Sequence, residues 1–350
     1  MDSKILPIIV FLLLSFLYGT TYFFVSIMLK YIDENVFNAI RMISAMFAGI
    51  IYFIIKSIFE IGYFKSSLHS IKIKKTPVFH CFMCGILFLG IPVSLTTISQ
   101  QTIPSVIITL SQPCIPFFTM IFAHFAFTDE KITINKLYIQ VVALIGALLT
   151  LVPTINPETS SKKFVISHYM MLFVSLILYG LGSVYIKLFL SKSDSILTCT
   201  LSIIGAGIYT MVSSMSRMSV PEFVFKFSNL PNSTILYSVI IGIIFNFFPT
   251  YMSLYIIKAL GAVKANLTTF GQIVIGIVSG VCFLDEWKDY SLKDKILNYF
   301  GIFQITITLL MDFYSDMKPK ECLNDEKSRN EHRSSDDDQY FPHLQYSDGF

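Results

Sequence analysis

Long apolar stretches separated by short polar ones run along nearly the whole chain. The pattern predicts ten membrane-spanning helices, over 5–29, 36–59, 77–99, 104–127, 135–153, 165–190, 196–215, 235–257, 263–284 and 296–316. An apolar run of about 20 residues, rising about 1.5 Å per residue, crosses a hydrocarbon core of about 30 Å. The connecting segments are short. The longest, around 60–76 and 216–234, leave no room for a second soluble domain. The first apolar run continues to Leu29 without a small-residue cleavage site, so it reads as a span and not as a cleavable leader. Residues 317–350 differ in kind: 13 of the 34 are charged, and the stretch includes Asp336-Asp337-Asp338, which predicts a disordered tail.

The same landmarks occur twice. Leu17-Tyr18-Gly19 is matched by Leu178-Tyr179-Gly180, and Asp129-Glu130 by Asp285-Glu286. Gly19 and Asp129 lie 110 residues apart, Gly180 and Asp285 lie 105 apart. Two halves with the same order of features are a mark of transporters, in which two similar bundles can rock around a central site. With five spans in each half, an odd number, the second half must be inverted. The expected fold is therefore an all-α polytopic membrane protein of ten transmembrane helices. Its two inverted five-helix repeats would cover 1–160 and 161–316, followed by a cytoplasmic tail over 317–350.

Composition fits this class and excludes others. Hydrophobic residues make up 54% of the 350 and charged residues 14%. The mean hydropathy is +0.65. A soluble protein of this size needs far more surface charge. The net charge of +3 says less than where the charges fall. With the N-terminus inside, 16 of the 26 Lys and Arg lie on the inner side and eight on the outer, with Arg41 and Lys187 inside spans. The positive-inside rule then puts both termini in the cytoplasm. Outside one short Lys-rich loop, around 60–76, there is no basic stripe for nucleic acid. Asn232-Ser-Thr234 is a glycosylation sequon that falls outside in this arrangement, close to the next span. Of the six cysteines, five fall in apolar runs and Cys322 in the tail. Cys81-Phe-Met-Cys84 has metal-ligand spacing, but it lies within a predicted span and no second pair completes a tetrahedral site, so buried small hydrophobes are expected.

Three stretches resemble the drug/metabolite transporter superfamily, and its EamA-like family in particular. The first is Tyr18-Gly19 followed by Asn38-Ala-Ile-Arg41. The second runs from Ser105 to Leu149, with Ser111-Gln-Pro113, Asp129-Glu130 and Gly146-Ala-Leu. The third is its counterpart from Gly261 to Gly301. The resemblance covers about residues 5–316 and rests on order and spacing, not on any single motif. Tyr18 stands where the family often has Trp. Relatives that carry organic phosphates have a Lys-Arg pair near the outer end of the ninth span, and none precedes Asp285 here. The resemblance implies that four spans of each half wall a central cavity while spans five and ten pack peripherally. Gly276-Ile-Val-Ser-Gly280 supports close packing of the ninth span.

Transport needs polar groups facing a cavity near mid-membrane. The mid-depth candidates for substrate binding are Tyr18, Gln112, Tyr179, Asn246 and Gln272, together with Arg41 about two turns into the second span. Tyr18 and Tyr179 are twins, whose rings suit a planar solute; packing with a satisfied hydroxyl is the plainer alternative. The three amides would serve a solute or pair across helices. Arg41 costs about 2.5–3.5 kcal/mol at the membrane centre on insertion scales, so it needs a partner, a wet cavity or a route to the surface. Lys187 and His124, near inner ends, read as interfacial, as does Asp312. Pro92, Pro104, Pro113, Pro116 and Pro249 should kink spans three, four and eight.

The function expected is secondary-active transport of a small organic metabolite or drug by alternating access, with no cofactor and no metal. No Walker A sequence or cytosolic domain suggests ATP. A nucleotide-sugar-type antiporter of an internal membrane is the rival within the superfamily. A membrane-embedded enzyme would need a cluster of acid, base or metal ligands at one depth, and none is seen. The partners implied are a small-molecule solute and the lipid bilayer, in a plasma or internal membrane; monomer and homodimer both remain open.

Overall fold

The structure is a computed structural model. It describes residues 5–67, 78–128, 132–155, 165–191, 193–285, 287–288 and 290–317. Residues 1–309 form one compact unit; of the second, 310–350, the end of the last helix is described. The described residues are helical, with no strand. The chain runs α1 (Ile5–Met28), α2 (Glu34–Phe59), α3 (Val78–Ser99), α4 (Ser105–Ala126), α5 (Ile134–Ile155), α6 (Ile166–Leu190) and α7 (Ser195–Arg217). There follow α8 (Val220–Ser228), α9 (Asn232–Ala259), α10 (Ala262–Asn266 and Thr268–Leu284) and α11 (Leu292–Met317). Seven of these, α1 to α4, α6, α7 and α9, are long and apolar enough to cross a membrane. Shorter apolar stretches lie at Ile134–Thr150 and Gly271–Leu284. Asp129-Glu130, Glu286 and the tail fall outside the described residues, as does most of the 60–76 connection.

Local chemistry explains the ends and the breaks. Asp33 caps α2 by accepting from the Asn35 N–H, and Asp194 caps α7 by accepting from the Leu197 N–H, each satisfying a first-turn donor. The helices α3 and α9 each widen into a π segment, Gly85–Gly90 and Ile243–Phe247. A proline follows each by two residues, Pro92 and Pro249. Proline has no N–H and its ring collides with the carbonyl four residues back, and a wide turn accommodates both. The helix α4 breaks at Gln112-Pro113 and α10 at Leu267.

The segment 216–234, expected as a plain connection, contains the short helix α8. Ser219 caps it and Pro221 occupies its first turn. Nine residues with two charges are too few and too polar to register as a span. Lys226 on α8 pairs with Asp33 at 2.9 Å and with Glu222 at 2.9 Å, tying α8 to the start of α2. Burial pushes the Asp33 carboxyl up, but the hydrogen bonds from Lys226 and the Asn35 N–H outweigh it and leave it below its ordinary value. A depressed carboxylate contributes stability that is present above about pH 3.9 and is lost as pH falls through the folded value. The Lys226 side chain is 37% exposed, so screening holds the contribution to about 0.5 kcal/mol. Lys226→Met is expected to lower the melting temperature slightly at pH 7, with the deficit shrinking as pH falls below about 4 and gone once Asp33 is protonated in the folded protein. A deficit unchanged in acid would mean that packing, not pairing, is lost.

The helices pack in a recurring pattern. The helix α1 lies along α10, and α6 along the Cys114–Ala126 part of α4. The helix α3 packs on α6 and α7, α9 packs on α1 and α2, and α2 packs on α7. Small residues allow the closest approaches. A Cβ on Gly85 would overlap the Ser202 carbonyl, and one on Gly242 would overlap the Arg41 carbonyl. Gly146 of α5 faces Gly301 of α11 so closely that a Cβ on Gly301 would lie 2.7 Å from the Gly146 carbonyl. Gly276 meets Thr109 with no room for a Cβ, which is the close packing expected of that helix. Large apolar side chains such as Leu12, Phe16, Ile51, Phe173, Val212 and Phe303 point outward and are exposed. Lipid tails, not water, suit such a surface.

Candidate functional site

Between the helices lies a cavity with about 880 Å³ of empty space, its mouth included. All six residues singled out from the sequence line it: Tyr18, Arg41, Gln112, Tyr179, Asn246 and Gln272. They come from α1, α2, α4, α6, α9 and α10, six helices that only the folded chain brings together. Aromatic rings from Tyr22, Phe88 and Phe245 complete the apolar part of the wall. Phe88 and Phe245 sit four residues before Pro92 and Pro249, inside the two π segments, so each wide turn carries one ring of the lining.

The polar groups differ in how far the protein satisfies them. The Tyr18 hydroxyl shares a hydrogen bond with the Ser253 hydroxyl at 2.6 Å. Tyr179 meets the Phe88 ring edge-on, with centroids 6.1 Å apart. Gln112, at the break of α4, donates back to the Ile108 carbonyl at 3.1 Å. Asn246 donates to the Ile241 carbonyl at a long 3.5 Å. Gln272 is buried yet makes no hydrogen bond to a described residue. Buried amides ordinarily find partners, so the poorly served Asn246 and Gln272 are groups that a solute or water would serve.

Arg41 is only 2% exposed. The sequence leaves open a route to the outer surface; in the structure the side chain turns inward instead. Its Nη2 donates to the Thr97 hydroxyl and, at 3.4 Å, to the Val93 carbonyl. The guanidinium lies 5.0 Å from the centre of the Phe37 ring. Its Nε is buried without a partner. Among the described residues no carboxylate pairs with it, and no acidic side chain lines the cavity.

Several lining residues escaped the sequence reading. Tyr22 was findable, because it follows Tyr18 by one helical turn and so shares its face. Gln100 at the end of α3 donates to the Tyr22 carbonyl at 2.9 Å and the Ser26 hydroxyl at 3.2 Å, a bridge no spacing rule would give. Asn266, at the end of the first piece of α10, is satisfied across helices by Thr119 at 2.7 Å and Ser183 at 3.2 Å. Lys187 lies over the Phe127 ring at 4.3 Å, and His124 accepts from the Ile132 N–H at 3.1 Å, away from the cavity lining. The side chain of Asp312 is outside the described residues. Cys81, Cys84, Cys114 and Cys199 are buried free thiols, whereas Cys282 is exposed. Among the described residues no group of three His, Cys, Asp or Glu is placed to hold a metal ion.

Comparison with known proteins gives one family. Residues 5–152 match the family model described as the EamA-like transporter family, which belongs to the drug/metabolite transporter superfamily. No curated protein matches the chain. A solved structure titled "Crystal structure of protein" aligns with 85% of this chain and 96% of its own length, at 13% identity and a TM-score of 0.49. A likeness of that strength supports nothing further.

Proposed function

We propose that this integral multi-pass membrane protein, whose residues 5–152 match the EamA-like transporter family, carries out secondary-active transport of a small organic solute. Two inverted halves would alternate access to the cavity around Tyr18, Gln112, Tyr179, Asn246 and Gln272. The observation that carries this reading is that the contacts repeat between the halves in register. The Gly242–Arg41 and Gly85–Ser202 approaches correspond, since Arg41 and Ser202 follow Gly19 and Gly180 at equal distance. Gly19 packs on Gln272 and Ile275, and Gly180 on Ile115, Phe118 and Thr119, which are matching turns of α10 and α4. The paired caps, paired π segments and the Gly146–Gly301 contact follow the same correspondence. This supports ten spans in two repeats of opposite orientation, with α8 as an extra interfacial helix. The positive-inside bias supports both termini in the cytoplasm.

The test is counterflow in proteoliposomes preloaded with amino acids, nucleobases, amines, vitamins, nucleotide-sugars and phosphorylated sugars, read by mass spectrometry. Saturable exchange of one class, absent from protein-free vesicles, is expected. Exchange confined to nucleotide-sugars would favour the internal-membrane antiporter, and no exchange of any class would overturn the reading.

A further inference from the structure

Resting on that transport reading, we infer that the solute is a small organic monoanion whose carboxylate is held by Arg41. The cavity contains a fixed cation, and among the described residues nothing neutralises it. Arg41 is 2% exposed, so bulk water does not screen it. Of its nitrogens only Nη2 is hydrogen-bonded to described residues, to Thr97 and the Val93 carbonyl, and these partners, like the Phe37 ring beneath the guanidinium, are uncharged. Among the described residues its Nε has no hydrogen-bond partner and its Nη1 donates to none. A buried charge is ordinarily paired. Here the missing partner is a carboxylate, and a solute can bring it.

The rest of the wall sets the solute's other features. Among the described residues no acidic side chain lines the cavity, so an ammonium group would find only neutral acceptors beside a like charge. That disfavours amines and leaves a net negative charge as the best match. Tyr18, Tyr22, Tyr179, Phe88 and Phe245 surround the space with rings, which suits an apolar body behind the carboxylate. A single guanidinium already sharing one nitrogen fits a monoanion better than a phosphate dianion. The twin position of Arg41 is Ser202, so the charge is supplied by one half only.

The experiment measures binding of matched probes to full-length purified protein by titration calorimetry. The probes are benzoate, benzamide and benzylamine, then hexanoate, hexanamide and hexylamine, and phenyl phosphate. At least one carboxylate is expected to bind ten- to a hundredfold tighter than the amide and amine of its shape, and tighter than phenyl phosphate. Arg41→Gln should erase that preference and Arg41→Lys should retain part of it. Comparing probes on the wild type keeps the test open even if Arg41→Gln folds poorly. Equal binding of amide or amine, tighter binding of phenyl phosphate, no binding of either carboxylate, or a preference surviving Arg41→Gln would each overturn the inference. The two readings fail separately. Neutral or cationic probes that bind and cross vesicles would sink the anion site alone. Carboxylates held through Arg41 that never cross would sink transport alone.

Discussion

Gly85→Ala is expected to cost about 3 kcal/mol or more and to leave little folded protein in a detergent extract. One added carbon would fall on the backbone carbonyl of Ser202 in α7, which cannot rotate away as a side-chain tip can. Overpacking commonly costs about 1–3 kcal/mol, and a backbone obstacle belongs at the upper end. The site is also the start of a π segment, so moving α3 outward would displace Phe88 from the cavity wall. Gly242→Ala should behave alike, because its Cβ would strike the Arg41 carbonyl and the Ser44 hydroxyl. Gly62→Ala makes the comparison. A Cβ there meets nothing within 4 Å, and its φ of +85° costs only local strain. Fluorescence-monitored size exclusion after a heating series reads all three. Melting within a degree of wild type for Gly85→Ala would show that α3 and α7 are not locked at this contact.

The second large effect is on transport. Replacing both Gln112 and Asn246 by leucine is expected to cut exchange of the true solute about thirtyfold while the protein stays folded. Each amide is buried, and each makes only a local bond to its own helix, Gln112 to Ile108 and Asn246 to Ile241. Leucine of similar volume removes little that holds helices together, since the Ile108 carbonyl still accepts from the Ser111 hydroxyl and the Asn246 bond is long at 3.5 Å. A hydrogen bond to a solute contributes about 1 kcal/mol, so two account for roughly thirtyfold. Counterflow rates normalised to folded protein decide it. Unchanged exchange in the double variant would remove both amides from the proposed site.

Much of this was legible from the chain alone, and for a physical reason. A bilayer demands uninterrupted apolar helices, so hydropathy marks them directly, and the expected and observed helix limits differ by only a few residues, as at 5–29 against Ile5–Met28. A polar residue in mid-span is expensive, so the few present stand out, and Tyr18, Arg41, Gln112, Tyr179, Asn246 and Gln272 could be picked without any coordinates. The prolines announced distortion, but not that Pro92 and Pro249 would be absorbed by π turns, which depend on the backbone yielding around a packed neighbour. The helix α8 was invisible because its stability comes from a cap and from Lys226 reaching Asp33, 193 residues away.

What the sequence by itself determined is the solvent of this protein and the inventory of its polar groups. Only the tertiary structure decided that six polar residues from six helices face one cavity, and that Arg41 turns inward to neutral partners and finds no carboxylate among the described residues. Periodicity fixes which residues share a face of one helix, but the choice of neighbour rests on where small residues such as Gly85, Gly242 and Gly301 let backbones meet.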